Sequence, residues 1–324
     1  MRKIGLIVLF NHNYEQNIPI IKELYKERFE QLKILMPFYY GDDPDVIGVY
    51  GNSFLFHTYI AQARTQLMQM DCDDFLIIGD DLLLNPSLNS HNIHEKLSIP
   101  LGAFYIDAVE NVSRCLYNRP LLEASKFSPH MAGLDKTANR YVPDFDTAYK
   151  CLYDKNLIGA TTLSCWRPFF PQFKKGFFKN ISDNYGILKA RIWHLLQMCK
   201  YKLRPVKMPY PYVFGYSDIV LIPRERMVDW CRYLEVFATW NMFVEMAIPT
   251  AMLLLPNAEL CFAKQSSYKT GNVWYPQDPA HFSRISSLID NLIGKCESPG
   301  DLLDNYPAEY LYLHPVKLSK FRKK

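Results

Sequence analysis

The stretch FLIIGDDLLLNP, residues 75–86, places two adjacent carboxylates directly after an apolar run. The run predicts a buried strand, so Asp80 and Asp81 stand at its carboxyl end. Two ionised carboxylates there repel each other and lose hydration unless a positive charge lies beside them. Mg²⁺ or Mn²⁺ supplies that charge and prefers oxygen ligands. The alternative interpretation is a turn or helix cap that happens to begin with two acids.

A second acidic string, DCDD at residues 71–74, lies just upstream. It matches a D-x-D pattern literally. However, it precedes the strand, which puts it at the wrong edge of a parallel sheet for ligand binding. We therefore predict that it forms a solvated turn.

Three later segments also contain polar residues that could do chemistry. Asp218 lies in the turn-like GYSD, Glu245 is the one acid among the apolar residues of 240–255, and YLHPVK contains His314 and Lys317. Each has an ordinary structural alternative. Asp218 would be a turn residue and Glu245 the partner of a core arginine. His314 would be a surface histidine and Lys317 one of several tail lysines.

The elements that must position these residues follow an alternating pattern. Apolar runs typical of strands covered on both faces alternate with segments of helical spacing. The predicted order is strand 4–10, helix 17–31, strand 33–40, helix 57–70 and strand 75–81. This order predicts a parallel sheet wound with helices, whose ligands lie at the carboxyl ends of the strands. Asn11 and the pair Asp80–Asp81 should therefore face the same crevice.

The rest of the chain is less regular until residue 208. A strand is predicted at 219–222 and a helix at 240–255, whereas 101–207 reads as loops and helices attached to the sheet. Within it, 165–207 combines many basic residues with aromatic ones, and the chain ends in KLSKFRKK. Both stretches are typical of contact with anionic lipid or phosphate, or of a solvated basic face.

Composition excludes several classes of protein. A net charge of +4 is too small to indicate nucleic-acid binding, and no P-loop, GxGxxG, GxSxG or HExxH motif is present. Eight cysteines without a CxxC pair favour reduced thiols in the cytosol over disulfides. The apolar run near the N-terminus is too short for a signal peptide or a membrane span.

Taken together, the residues of GDD, FNHN, FVE and YLHPVK resemble the GT-A fold of nucleotide-sugar glycosyltransferases. The resemblance covers about 1–100, 210–255 and 310–319 and implies an α/β fold with a Rossmann-type, wound, mainly parallel sheet, flanked by helices and carrying a helical or loop insertion in the middle third. We expect one catalytic domain, 1–324, divided into a nucleotide-sugar-binding half (1–100), the insertion (101–207) and an acceptor-binding half with a metal-binding tail (208–324).

The resemblance also implies roles for individual residues. GDD would act as the D-x-D-like motif, although it leaves only two acids to divide between the ribose and the metal. The implied metal ligands are Asp81, Asp80 and His314. The implied donor contacts are Phe10, Asn11, Asn13, Ser53, Asp80 and Lys317. Glu245 would be the catalytic base of an inverting enzyme, with Asp218 as second choice, whereas a retaining enzyme would need no such base.

These implications predict a glycosyltransferase that uses Mn²⁺ or Mg²⁺ and a nucleotide sugar, with a UDP-sugar favoured. The acceptor would be a glycan or a lipid-linked glycan of surface polysaccharide or lipooligosaccharide synthesis. We expect a cytoplasmic protein that rests on the inner face of the plasma membrane through its basic segments. Two alternatives stay open: a nucleotidyltransferase or phosphodiesterase at the same acidic pair, and a non-catalytic carbohydrate-binding protein.

Overall fold

The computed structural model describes residues 2–112, 136–158, 162–163, 192, 196, 206–273 and 279–321. The strands are β1 (Ile4–Leu9), β2 (Leu32–Pro37), β3 (Val46–Val49), β4 (Asp74–Gly79), β5 (Leu83–Leu84), β6 (Phe104–Ile106), β7 (Val109–Glu110), β8 (Thr162–Leu163), β9 (Val206–Lys207), β10 (Phe214–Gly215), β11 (Ile219–Pro223), β12 (Leu260–Phe262), β13 (Lys269–Asn272) and β14 (Tyr310–His314). The α-helices are α1 (Ile18–Tyr25), α2 (His57–Leu67), α3 (Ile93–Lys96), α4 (Phe145–Asp154), α5 (Met227–Thr239), α6 (Val244–Leu254), α7 (Pro279–Lys295) and α8 (Pro299–Asp304).

A seven-stranded sheet in the order β12-β6-β11-β4-β1-β2-β3 forms the centre of the fold. The pairs β3–β2, β2–β1, β1–β4 and β6–β12 are parallel, and β11 runs antiparallel to both β4 and β6. The chain proceeds outward from β1 to β2 and β3 and then returns to the other side of β1 with β4. This change of direction creates a crevice at the carboxyl ends of β1 and β4.

Both faces of the sheet are covered, which explains why its strands are continuously apolar. Alternate residues of β1 point to opposite sides, so that Ile7 and Leu9 join one core and Leu6 and Val8 join the other. The first core includes residues of α2, α5 and α6. The second includes residues of α1, α7, β5 and β14. The predicted α/β class with a mainly parallel, helix-flanked sheet is confirmed.

A smaller sheet in the order β13-β14-β5 lies beyond the end of β4. Strand β14 is parallel to β13 and antiparallel to β5, with Tyr312 opposite Leu84 and Leu313 opposite Leu83. Because β5 begins two residues after Asp81, this pairing brings the C-terminal part of the chain to the acidic pair. The segment expected to be a tail is therefore a buried strand.

The predicted helices and strands near the N-terminus are present with shifted ends, and one strand was not predicted. Strand β3 lies in the turn-rich stretch after β2, where a four-residue run gives little periodic signal. Gly48 is required within it because a Cβ there would approach the carbonyl oxygen of Tyr39 to 2.5 Å. Helix α1 ends at Tyr25, well before residue 31, and the Arg28 guanidinium binds the carbonyl oxygen of Leu24 at 3.0 Å.

Candidate functional site

The acidic pair lies where the crevice was predicted, at the joined ends of β1 and β4. The backbone N–H of Asp80 donates to the carbonyl oxygen of Leu9 at 2.9 Å, which extends the parallel ladder by one residue. In return, the backbone N–H of Asn11 donates to Asp80 Oδ1 at 3.3 Å. The polar residue after β1 therefore contacts the first carboxylate after β4.

His314 reaches Asp81 through the small sheet. His314 is the last residue of β14, its Nε2 lies 3.1 Å from Asp81 Oδ1, and its side chain is only 8% exposed. The backbone N–H of Val316 also donates to the carbonyl oxygen of Asp81 at 2.7 Å. His314 Nδ1 is buried without a hydrogen-bond partner among the described residues.

The two carboxylates of the pair have opposite pKa shifts. Burial and the charge of Asp81 raise the pKa of Asp80 to about 7. Burial also acts to raise the pKa of Asp81, but its hydrogen bond to His314 prevails and the pKa falls below the usual value. Burial opposes the charge on His314, yet the charges of Asp218 and Asp81 raise its pKa to about 9. Asp81 and His314 thus form an ion pair, while Asp80 exchanges its proton near neutral pH.

Asp218 joins this group because β11 runs antiparallel to β4. The residue before β11 therefore lies at the edge where β4 ends, and the backbone N–H of Gly79 donates to the carbonyl oxygen of Asp218 at 3.0 Å. A Cβ placed on Gly79 would lie 3.4 Å from Asp81 Oδ1 and 3.7 Å from Asp218 Oδ1. The glycine thus leaves open the space between the two carboxylates.

A cavity of about 510 Å³, here called the acidic cavity, opens beside the pair. Six of the residues that line it are Asn11, Tyr14, Ser53, Asp80, Asp81 and Lys317. Lys317 is exposed at its wall, three residues after His314. The cavity therefore combines carboxylates with a lysine, backbone amides and small polar side chains, a set that suits a metal ion with a phosphorylated ligand.

A smaller cavity of about 170 Å³, here called the aromatic cavity, adjoins the first. It shares Asn11 and Ser53 with the acidic cavity, and it is also lined by Asp218, Glu245 and the rings of Phe54, Phe56 and Phe243. Glu245 is half-buried in the first turn of α6. Both predicted catalytic carboxylates thus line one cavity.

Two of the residues predicted to contact the nucleotide-sugar donor line neither of these cavities. Phe10 is completely buried in the core below the sheet edge and does not line either cavity. Asn13 is exposed, and its side-chain amide donates to the carbonyl oxygen of Phe38 at 2.8 Å. Asn13 therefore links the loops after β1 and β2, outside the walls of both cavities.

The prediction of a solvated turn at 71–74 is wrong for its last residue. Asp74 is the first residue of β4 and is fully buried. Its carboxylate accepts from Arg2 Nε and Nη2 at 2.7 Å each and lies 2.8 Å from His94 Nε2. The string does lie at the opposite edge of the sheet from Asp80, as expected, but Asp74 is the centre of a buried ion network.

One acid at the crevice edge was not predicted. Asp107 follows β6 as Asp80 follows β4, and it is 5% exposed. Its Oδ2 accepts a short hydrogen bond from the Tyr312 hydroxyl and a longer one, 3.5 Å, from the Asn272 amide. The sequence FYID has the signal that identified FLIIGD, an apolar strand that ends in an acid.

Within the described ranges, no group of three or more His, Cys, Asp or Glu side chains is arranged to hold a metal ion. The side chains available for one are Asp81 and His314, which are in contact, and the adjacent Asp80. Sites for Mg²⁺ commonly combine one or two carboxylates with substrate phosphates and water. In the same part of the chain, no helix has the length and apolarity needed to cross a membrane.

The chain has only remote similarity to known proteins. No protein-family model matches it, and no curated protein matches it. Among solved structures it is similar to the galactosyltransferase LgtC in complex with donor and acceptor sugar analogues, at a TM-score of 0.30 and 10% identity over 86% of this chain and 82% of that one. An active-site mutant of LgtC gives a TM-score of 0.29 with the same identity and coverage. The functional proposal therefore rests on the cavities and the residues that line them.

Proposed function

We propose that this chain is a metal-assisted glycosyltransferase that moves a sugar from a nucleoside diphosphate, UDP favoured, to a hydroxyl of a glycan or lipid-linked acceptor. The observation that carries this proposal is the junction of the two cavities. Asn11 and Ser53 line both, so a cavity whose carboxylates, lysine and polar side chains suit a metal ion with a phosphate adjoins a cavity with two carboxylates and three aromatic rings.

The acidic cavity would hold the diphosphate of the donor, which links its nucleoside to its sugar. A divalent cation fits the pair because the half-buried Asp81 carboxylate favours the ionised form and the buried Asp80 can lose its proton near neutral pH. Asp81, Asp80 and His314 are the proposed ligands; because they do not form a preformed three-ligand group, phosphate oxygens of the donor would complete the site. His314 would give up its proton on binding the ion. A bound cation stabilises the negative charge that develops on the departing diphosphate.

The protein contributes its own charges and shape to the same step. Lys317, exposed at the wall of the acidic cavity, would offset part of the negative charge of the diphosphate. The Asp80 carboxylate is held by the backbone N–H of Asn11, so its oxygen keeps one orientation. Ser53 lines both cavities, and its hydroxyl would hydrogen-bond the part of the ligand that spans them.

The aromatic cavity would hold the reacting hydroxyl of the acceptor. Glu245 is proposed as the base that takes its proton in an inverting transfer, a role worth about 10²–10⁴ in rate. Asp218 is then left to bind acceptor hydroxyls. The rings of Phe54 and Phe243, whose centroids are 5.7 Å apart, form an apolar wall that disfavours water as the competing nucleophile.

The proposal also places the acceptor at a membrane. A lipid-linked acceptor requires the enzyme to approach the cytoplasmic face of a membrane, in the synthesis of surface polysaccharide or lipooligosaccharide. The basic aromatic segment 165–207 and the basic end KFRKK, whose residues 320 and 321 belong to the described part of the chain, would provide this contact. Apart from those two and 192, 196 and 206–207, these residues lie outside those that the structure describes. Sedimentation with anionic vesicles, before and after lysine-to-alanine changes in 165–207, measures the contact directly.

Release of nucleotide from a panel of UDP-, GDP- and CMP-sugars, with Mn²⁺, tests the activity. We expect release of a nucleoside diphosphate that is lost in Asp81→Ala and retained in Asp71→Ala, whose acid lies at the opposite edge of the sheet. Release that persists in Asp81→Ala would refute the role of the acidic pair. Formation of pyrophosphate from a nucleoside triphosphate would instead identify a nucleotidyltransferase.

The variant Glu245→Gln tests whether Glu245 is the catalytic base. The variant should bind the donor normally and transfer sugar about 10²–10⁴-fold more slowly. Asp229→Asn, an exposed acid on α5, is the matched control. Normal transfer by Glu245→Gln would exclude Glu245 as the base.

A further inference from the structure

A third cavity, of about 390 Å³, lies at the carboxyl ends of β6 and β12, apart from the two cavities of the proposed reaction. It is lined by Asp107 after β6, by Phe262 at the end of β12, and by Tyr268 and Thr270 before and within β13. None of these residues has a part in the proposed chemistry. We call it the β6–β12 cavity.

Asp107 in its wall is held in a fixed orientation. The Tyr312 hydroxyl and the Asn272 amide both donate to Oδ2, and Tyr312 is itself fully buried and stacked on Tyr216 at 5.8 Å. Oδ1 accepts no hydrogen bond from the described residues. A buried carboxylate normally has both oxygens satisfied, so one oxygen is available to a ligand in the cavity.

The remaining walls have three chemical characters. Phe262 and Tyr268 are half-buried rings, and Thr270 adds a hydroxyl. Lys264 adds an exposed cation, with its ammonium 5.6 Å from the centroid of the Phe262 ring. Ring surface together with a carboxylate, a hydroxyl and an ammonium matches a pyranose, which has an apolar C–H face and hydroxyls around its edge that both accept and donate hydrogen bonds.

We propose that the β6–β12 cavity is a saccharide subsite, which holds a sugar of the acceptor that does not itself react. This inference rests on the proposed glycosyltransferase function. Its position supports the role, because β6 and β11 are antiparallel with Ile106 opposite Val220, so that Asp107, just after β6, and Asp218, just before β11, lie at the same edge of the sheet. A sugar bound by Asp107 would therefore lie beside the residue that faces the reacting hydroxyl, and the acceptor would contain at least two sugar units.

Saturation-transfer NMR with the full chain tests the subsite without knowledge of the natural acceptor. The probes are methyl β-galactoside, methyl β-glucoside, methyl α-mannoside, methyl N-acetyl-β-glucosaminide, lactose and cellobiose. At least one should bind, and Thr270→Val and Tyr268→Ala should each weaken it about tenfold through a lost hydrogen bond or ring contact. Two controls should bind normally: Lys269→Ala, whose ammonium lies 5.9 Å from the Tyr310 ring centroid and which does not line the cavity, and Tyr40→Ala, an 85% exposed ring beyond β2.

Binding of UDP with Mn²⁺, measured on the same variants, separates the two proposals and reports correct folding. Nucleotide binding without binding of any saccharide overturns the subsite and leaves the proposed function standing. Saccharide binding that Thr270→Val and Tyr268→Ala leave unchanged also overturns it. Saccharide binding lost in those variants, in a protein that binds no nucleotide, would support the subsite and contradict the transferase.

Discussion

Replacement of Asp74 by asparagine distinguishes the two acidic strings that surround β4. The Asp74 carboxylate is fully buried and receives two hydrogen bonds from Arg2 at 2.7 Å and one contact from His94 at 2.8 Å. Asparagine keeps the shape but turns one acceptor into a donor. At least one of the three N–H groups would then face another N–H without an acceptor.

The expected cost follows from the burial of these groups. Removal of one partner from a buried ion pair costs about 3–5 kcal/mol. We expect the lower end, about 3 kcal/mol, because the Arg2 side chain is 24% exposed and can recover part of its hydration. Asp71→Asn is the matched control. Its carboxylate is 90% exposed, and the free energy of unfolding should not change measurably.

Urea unfolding and calorimetric titration of UDP with Mn²⁺ measure the two effects separately. Asp74→Asn should lose stability yet bind nucleotide normally under native conditions, because Asp74 lies at the opposite edge of the sheet. Asp81→Asn should lower nucleotide affinity more than about tenfold. It should also lose some stability, because it leaves the buried His314 without its charged partner, so nucleotide binding is the readout that separates the two variants. The outcome that refutes the reasoning is Asp74→Asn with native stability and lost nucleotide binding, since the metal would then belong to 71–74.

Three other predictions concern charge. The hydrogen bond that His94 donates to the Asp74 carboxylate raises the pKa of His94, so the pair stabilises the fold below about pH 6.5 and this contribution is lost as the pH rises through the raised pKa. Urea unfolding of His94→Gln should not show that loss of stability. Lys317→Ala should bind UDP with Mn²⁺ several-fold more weakly, and its affinity should depend less on salt, as titrations at two ionic strengths will show. Treatment with EDTA should leave the thermal midpoint unchanged at pH 6.5, because His314 and the proton on Asp80 balance the acidic pair without an ion.

The local features of the fold could be predicted from the sequence. Apolar runs without alternation identified β1 and β4, and the parallel arrangement of such runs placed their ends together. The contact between Asn11 and Asp80 is the direct consequence of that arrangement. These apolar runs are a strong signal because a strand that is buried on both faces admits few polar residues along its six positions.

The contacts between distant parts of the chain could not be predicted from the sequence. Strand β5 has two residues, too few for any periodicity, yet its pairing with β14 carries His314 to Asp81 across 233 positions. The environment of Asp74 depends on Arg2 and His94 in the same way, since nothing local distinguishes it from the exposed Asp71. Sequence spacing shows which residues could form a site, whereas long-range pairing decides which of them meet.

In the acidic pair, long-range contacts relieve the repulsion between the two carboxylates by giving them different pKa values. Two equivalent carboxylates at the end of β4 would repel each other, but their surroundings differ. Asp81 faces His314 and stays ionised, while Asp80 is enclosed beneath Asn11 and takes up a proton near pH 7. Neighbouring acids whose pKa values are driven apart are typical of sites where charge must change during function. The charges of the pair are therefore balanced without a cation, as the proposed reaction requires if its ion arrives with the nucleotide and leaves with it.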